Sequence, residues 1–141
     1  MDQTKREEFW NTLTHFIGIV LSLVGLPLLI FANNNLSSFS LASILFFEFG
    51  LLFVYISSTL YHYVENVELK KKLRTLDHIS IFYLIAGSYA PVCLITLYND
   101  SGIGVFIAVL AIMFIGTFFK LYYTGKYEKF SLVLYLAMGW L

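Results

Sequence analysis

Long apolar runs alternate with short polar gaps along this chain, and the length of the runs predicts membrane-spanning helices. The runs cover about residues 13–32, 41–63, 79–98 and 103–123. Each contains roughly the 20 residues that a helix needs to cross a bilayer. Because a helix satisfies its own backbone hydrogen bonds within lipid, the pattern predicts an all-α integral membrane protein with four transmembrane helices.

A fifth apolar run begins near Phe130 and is still apolar at Leu141. Its twelve residues would extend only about 18 Å as a helix, against a hydrocarbon core of roughly 30 Å. We therefore expect residues 1–141 to be one membrane domain that is incomplete at its carboxyl end, completed by further helices. A terminal helix that only half enters the bilayer is the alternative.

The basic residues occupy alternate gaps, and this asymmetry predicts the topology. The gaps at residues 33–40 and 99–102 contain no Lys or Arg. Positive charge is retained in the cytoplasm during insertion, so the amino terminus and both basic gaps are predicted to be cytoplasmic in the plasma membrane. The nine basic residues are Lys5, Arg6, Lys70, Lys71, Lys72, Arg74, Lys120, Lys126 and Lys129.

Composition excludes a soluble domain and argues against nucleic acid as a partner. The chain is 59% hydrophobic and 13% charged, whereas an average soluble domain carries about 25% charged residues. Topology alone explains the basic gaps, so membrane lipid is the expected contact and no nucleic acid is expected. Lys70 to Lys72 could touch anionic headgroups. Cys93 is the only cysteine in the sequence, which excludes an internal disulfide and a cysteine-based zinc site.

A polar stripe follows one face of the second predicted helix. Glu48, Tyr55 and His62 are spaced by seven, which places them within about 40° of one another around a helix. Ser58 lies one turn before His62 and joins the stripe. A buried carboxylate is costly unless it is paired or protonated, so Glu48 should face the bundle interior or a wet cavity. At about 21 Å from His62 along the helix, it is expected to tune the bundle rather than share chemistry with His62.

Several candidate metal donors lie at the predicted cytoplasmic depth. His62, Asp77 and His15 could meet around zinc, because imidazole and carboxylate are the ligands that zinc accepts without thiolates. Asp77 could ligate directly or hold a water, and Ser58 could orient His62. The alternative is that these are interfacial helix ends, with Asp77 as an N-cap or first-turn acid. His78 points about 100° away from Asp77 and is the weakest candidate.

Four segments carry a resemblance to a known family. They are residues 8–15 (EFWNTLTH), 57–62 (SSTLYH), 76–82 (LDHISIF) and 85–91 (IAGSYAP). In this order they resemble the bacterial hemolysin III proteins, which belong to the progestin and adipoQ receptor (PAQR) family. Residues 138–140 (MGW) also look like the fifth helix of that family.

The resemblance implies a seven-helix bundle with a cytoplasmic amino terminus and a zinc ion near the inner leaflet. It implies that His62 is a direct ligand, that Asp77 holds the zinc-bound water, and that Ser58 belongs to the same catalytic motif. Two further histidines would come from a His-x-x-x-His pair in the last helix, and this sequence contains no such pair. Zinc binding by this chain alone is therefore expected to be weak or absent. The amino-terminal motif is expected to support the ligands, and its residues are Glu8, Asn11, Thr14 and His15.

Three functions agree with these features. The first is a zinc-dependent hydrolase of a lipid amide or ester, or a regulator of membrane lipid, with its site at the inner leaflet. The alternative is a pore-forming, haemolytic membrane protein without catalysis, although the stripe on the second helix supplies only one wall of a polar lumen. A small proton-coupled transporter is a third reading, which the membrane carboxylate of Glu48 suggests and the complete charge bias opposes.

Overall fold

The computed structural model describes residues 3–123 and 128–141, and this part of the chain is helical without strands. Four of its helices are long and apolar enough to cross a membrane, which confirms the predicted all-α membrane fold. Lys126, one of the predicted topology determinants, lies outside the described residues. The helices are α1 (Lys5–Ala32), α2 (Ser40–Tyr63), α3 (Val67–Pro91), α4 (Gly102–Tyr123) and α5 (Glu128–Trp140).

Helix α1 begins two turns before its apolar run, because the local sequence contains an N-terminal capping box. The Thr4 side chain accepts a hydrogen bond from the Glu7 backbone N–H at 3.3 Å. In return the Glu7 carboxylate accepts one from the Thr4 backbone N–H at 2.7 Å. These bonds satisfy N–H groups that have no partner within the helix. The polar turns of α1 therefore extend past the apolar run.

Helix α3 differs most from the prediction. It begins at Val67 instead of near residue 79, and the Asn66 side chain caps it by accepting from the Leu69 backbone N–H at 3.0 Å. The basic residues from Lys70 onward therefore lie on a helix and not in a loop. Asp77 is in the helix interior, so the interpretation of this residue as an N-cap is wrong. Hydropathy located only the apolar part of the helix, since a polar extension outside lipid carries no hydrophobic signal.

Helix α2 lies between α1 and α3, and glycines allow close approach on both sides. A methyl group at Gly50 would lie 2.7 Å from the Tyr83 carbonyl oxygen, and one at Gly18 would lie 2.5 Å from the Tyr55 ring. At the carboxyl end of α3, a five-residue π-helical segment (Val92–Thr96) follows Pro91. Close backbone packing of this kind is typical of helices that associate within lipid.

A second packing centre joins α3, α4 and α5. Its buried side chains pack in one cluster that holds α4 and α5 against the face of α3 away from α1. Van der Waals packing is the main source of helix association in lipid, where the surrounding solvent is itself apolar. The members of the cluster are Phe82, Ala86, Val109, Met113 and Met138.

Candidate functional site

His62 lies in the last turn of α2, where a carboxylate from α1 holds its ring. The His62 Nδ1 atom is 2.7 Å from Glu8 Oε2. The other oxygen of Glu8 accepts a hydrogen bond from Lys70 Nζ of α3, also at 2.7 Å. The His62 side chain is only 10% exposed. Glu8 therefore ties the three helices together at the end of the bundle that carries Lys5 and Lys70, called here the basic end.

Asp77 of α3 is fixed by the serines of α2. Ser58 Oγ donates a hydrogen bond to Asp77 Oδ1 across the helix interface. One residue earlier, Ser57 Oγ donates to Ser80 Oγ at 2.9 Å, and Ser80 in turn donates to the backbone carbonyl of Asp77 at 2.6 Å. These bonds define both the position of the Asp77 backbone and the direction of its carboxylate. Ser58 is one helical turn from His62, which brings Asp77 to the same level of the bundle.

His15 completes the arrangement from α1. Its ring is parallel to that of His62, with centroids 5.6 Å apart and an interplanar angle of 8°. The Asp77 carboxylate accepts from Ser58, one helical turn from His62, so it lies at the same level of the bundle as these rings. The structure thus brings together two imidazoles and two carboxylates at the basic end. We call this set, together with Ser58 and Lys70, the basic-end cluster: Glu8, His15, Ser58, His62, Lys70 and Asp77.

Other residues of the predicted site lie apart from the basic-end cluster. Asn11 Nδ2 donates to Gln3 Oε1 at 3.2 Å, and Thr14 Oγ1 donates to the Trp10 carbonyl of its own helix at 2.9 Å. Thr14 is exposed. Supporting contacts to His62 therefore come from Glu8 and His15, and not from the hydrogen bonds described for Asn11 and Thr14.

Two residues of the α2 stripe lie deeper in the bundle. The Tyr55 ring packs on Gly18 and is tilted against His15, with centroids 6.3 Å apart. Glu48 is buried, and by helical rise it is about 21 Å from His62. The stripe therefore continues below the basic-end cluster but does not place Glu48 within it.

Lys70 and Tyr135 were not among the predicted site residues. Lys70 precedes Asp77 by two helical turns, so the two share a face of α3, a relation visible only once the helix is known to begin at Val67. Tyr135 of α5 donates from its hydroxyl to the His78 carbonyl at 2.7 Å. The His78 ring is directed at the Arg74 carbonyl, with Nδ1 at 2.6 Å, and so turns back onto its own helix.

The donor chemistry of His62 and Asp77 fits part of a zinc site. A histidine that binds a metal through one ring nitrogen commonly donates the N–H of its other ring nitrogen to a carboxylate. The contact of His62 Nδ1 with the Glu8 carboxylate fits this arrangement. His62 Nε2 and the second oxygen of Asp77 are then left as donors. Over the described ranges, no three His, Cys, Asp or Glu side chains are grouped so that they could hold a metal ion. The chain thus offers an incomplete set of the roughly four donors that zinc takes.

A groove of about 810 Å³ opens between α1 and α2 beside His62. One end is polar, and the remainder is walled largely by apolar side chains of α1. A groove of this size can hold a drug-sized molecule. Its polar end includes Glu8, His62 and Lys70, and its apolar wall includes Phe9, Leu13 and Phe16.

Fold and site together define a multi-pass helical membrane protein with a polar cluster at one end of its bundle. The haemolysin-III related family matches residues 3–141, so the chain belongs to that family, which lies within the PAQR group. The chain is 37% identical over 139 residues to the Hemolysin-3 homolog of Bacillus subtilis (strain 168). It is 32% identical over 142 residues to Hemolysin-3 of Bacillus cereus.

The matches extend over nearly the whole of this chain but not over the whole of the relatives. They cover 98% and 100% of this chain, and 65% of each of the two relatives. No solved structure matches the chain. The predicted resemblance to hemolysin III proteins is therefore confirmed over the full sequence.

Proposed function

We propose that this chain forms part of a zinc-dependent hydrolase of a lipid amide or ester, working at the inner leaflet of the plasma membrane. The observation that supports this most is the basic-end cluster, in which α1, α2 and α3 each contribute a residue to one site. His62 is held by Glu8, and Asp77 is held by Ser58. Polar side chains within a membrane protein are costly, and their convergence at one depth favours a functional site.

His62 would hold the metal directly, and Asp77 would hold it through a water molecule. The remaining donors would come from helices present in the longer relatives, where the resemblance implies a His-x-x-x-His pair. A bound zinc would supply a Lewis acid that polarises a carbonyl and activates water. This chain alone would bind it weakly, because one direct ligand and one carboxylate that acts through water leave most of the coordination to water.

The roles of the protein residues follow from their contacts. Glu8 would accept a hydrogen bond from the Nδ1–H of His62, which fixes the tautomer that leaves Nε2 unprotonated. Lys70 balances the charge of Glu8. Asp77 would accept a proton from the attacking water as a general base. Ser58 positions Asp77 by donating to one carboxylate oxygen, and the other oxygen would accept from the water.

The groove between α1 and α2 supplies a route for a lipid. Its apolar wall would hold an acyl chain, while the amide or ester would lie beside His62 at the polar end. A substrate arriving from the membrane would need no path through water. This route agrees with a hydrolase or a regulator that binds lipid, and it makes membrane lipid the expected partner.

Membrane lysis is the second candidate function, and the names of the two hemolysin-3 relatives favour it. A pore requires a polar lumen across the bilayer. The α2 stripe would have to line it, yet Tyr55 packs directly on Gly18 of α1. If a variant that lacks Asp77 lyses erythrocytes at the wild-type rate, a pore is favoured over catalysis.

Lipid hydrolysis in vesicles tests the proposed function. The protein used is this chain extended by the further helices that the resemblance implies, called here the longer form. We expect fatty acid release from vesicles that contain amide- and ester-linked lipids. Chelation of zinc should abolish this release, and added zinc should restore it, since the Lewis acid is required at the carbonyl. Fatty acid release that persists at an unchanged rate in metal-free protein would contradict a zinc-dependent mechanism.

The proposed orientation predicts opposite labelling at the two ends of α2. In Ser37→Cys and Lys71→Cys variants, an impermeant thiol reagent added to intact cells should label position 37 and leave position 71 unlabelled until the cells are opened. Ser37 lies in a gap without basic residues, and Lys71 lies in the basic segment. Cys93 is buried and gives a low background. Labelling of position 71 alone in intact cells would show that the topology is the reverse of the one predicted.

A further inference from the structure

Glu48 is an acidic residue that lies outside the basic-end cluster. It is 3% exposed, and neither carboxylate oxygen has a hydrogen-bond partner among the described residues. Eight residues separate it from the start of α2 at Ser40, so it lies about 12 Å along the helix from that end. A buried polar group with both acceptors unused requires an explanation, because almost all such groups are paired.

Water cannot readily explain the burial of Glu48. Both carboxylate oxygens are inaccessible to solvent within the described residues. Glu48 precedes Tyr55 by two helical turns, so it lies on the face of α2 that packs on α1 through Gly18. An ionised carboxylate buried in this way would lose its hydration without gaining a partner, and a group in that position neutralises instead.

We propose that Glu48 is a proton-binding site within the membrane, carrying its proton at neutral pH as an uncharged carboxylic acid. A metal cation is a poorer occupant, because hard cations take about six oxygen ligands and the described residues place no second carboxyl in a group with Glu48. A proton needs the carboxyl alone. The site is separate from the basic-end cluster, because Glu48 lies about 21 Å along α2 from His62. The proposal therefore stands whether or not the protein is a hydrolase.

Infrared spectroscopy tests the protonation state directly. Wild-type protein in lipid vesicles at neutral pH should show the carbonyl-stretching band of a protonated carboxylic acid, and Glu48→Gln should remove it. Glu68→Gln is the matched control, since that side chain is 79% exposed and paired with Lys71. It should remove carboxylate bands and keep the protonated band. Loss of carboxylate bands in Glu48→Gln would overturn the proposal.

A hydrophobic carbodiimide provides a second test that needs no variant. The protonated carboxyl transfers its proton to one carbodiimide nitrogen while its oxygen bonds to the central carbon, and nothing leaves. The adduct then rearranges to an N-acylurea, so the Glu48 peptide should gain the mass of one whole reagent, and the Glu68 peptide should not. Labelling at Glu68 with none at Glu48 would overturn the proposal. Where neither is labelled, the infrared band decides.

Discussion

Replacing Asp77 by asparagine should abolish lipid hydrolysis by the longer form while zinc stays bound. The side chain keeps its size, and Ser58 can still donate to the amide oxygen, so the contact between α2 and α3 should persist. The change removes the group proposed to take a proton from water. General bases contribute about 10²- to 10⁴-fold to rates, and we expect a loss in that range.

Asp100→Asn is the matched control for this experiment. It makes the same chemical change at an exposed residue outside the described helices, at the end of the bundle opposite the basic-end cluster. Fatty acid release should stay at the wild-type rate, and zinc content should be unchanged. If Asp77→Asn hydrolyses lipid at the rate of Asp100→Asn, then Asp77 is a structural partner of Ser58 and not a base.

The membrane fold could be predicted from the sequence because its signal is strong and local. Runs of apolar residues fixed the number of spanning helices, and the structure agrees. The boundaries were less predictable. The caps at Thr4 and Asn66 are side-chain hydrogen bonds that extend α1 and α3 beyond lipid. Hydropathy does not report such bonds, which is why Asp77 was placed at a helix end.

The candidate site was predicted in outline by depth. Ser58, His62 and Asp77 share a level because they lie near the same ends of adjacent helices. Which atoms meet could not be predicted, since it depends on the rotation and spacing of whole helices. The Glu8 bond to His62, for example, needs α1 and α2 to pack through Gly18 and Tyr55. Both residues are visible in the sequence, but the distance between Glu8 and His62 depends on how the two helices pack.

Lys70 shows how one boundary error conceals a contact. Taken as a loop residue, it had no defined direction and was explained by topology alone. On α3 it lies two turns from Asp77 and reaches Glu8, closing the link between the first and third helices. Asn11 and Thr14 show the converse: a sequence motif placed them at the site, and their described hydrogen bonds remain on α1 and the segment before it.

Replacing His62 by alanine should remove most of the zinc from the longer form. The change deletes the only imidazole nitrogen that this chain is proposed to give the metal, and it leaves Glu8 paired with Lys70 alone. Even loss of a residue that only supports a ligand typically weakens metal affinity by about 10- to 100-fold, so removal of the ligand itself should cost at least that much.

His78→Ala is the matched control, because the His78 ring is directed at the Arg74 carbonyl of its own helix. Zinc content per chain, measured by mass spectrometry of the purified longer form, is the most direct test of the basic-end cluster as a metal site. We predict about one zinc per chain in the wild type and in His78→Ala, and little in His62→Ala. Equal zinc in all three proteins would contradict the account.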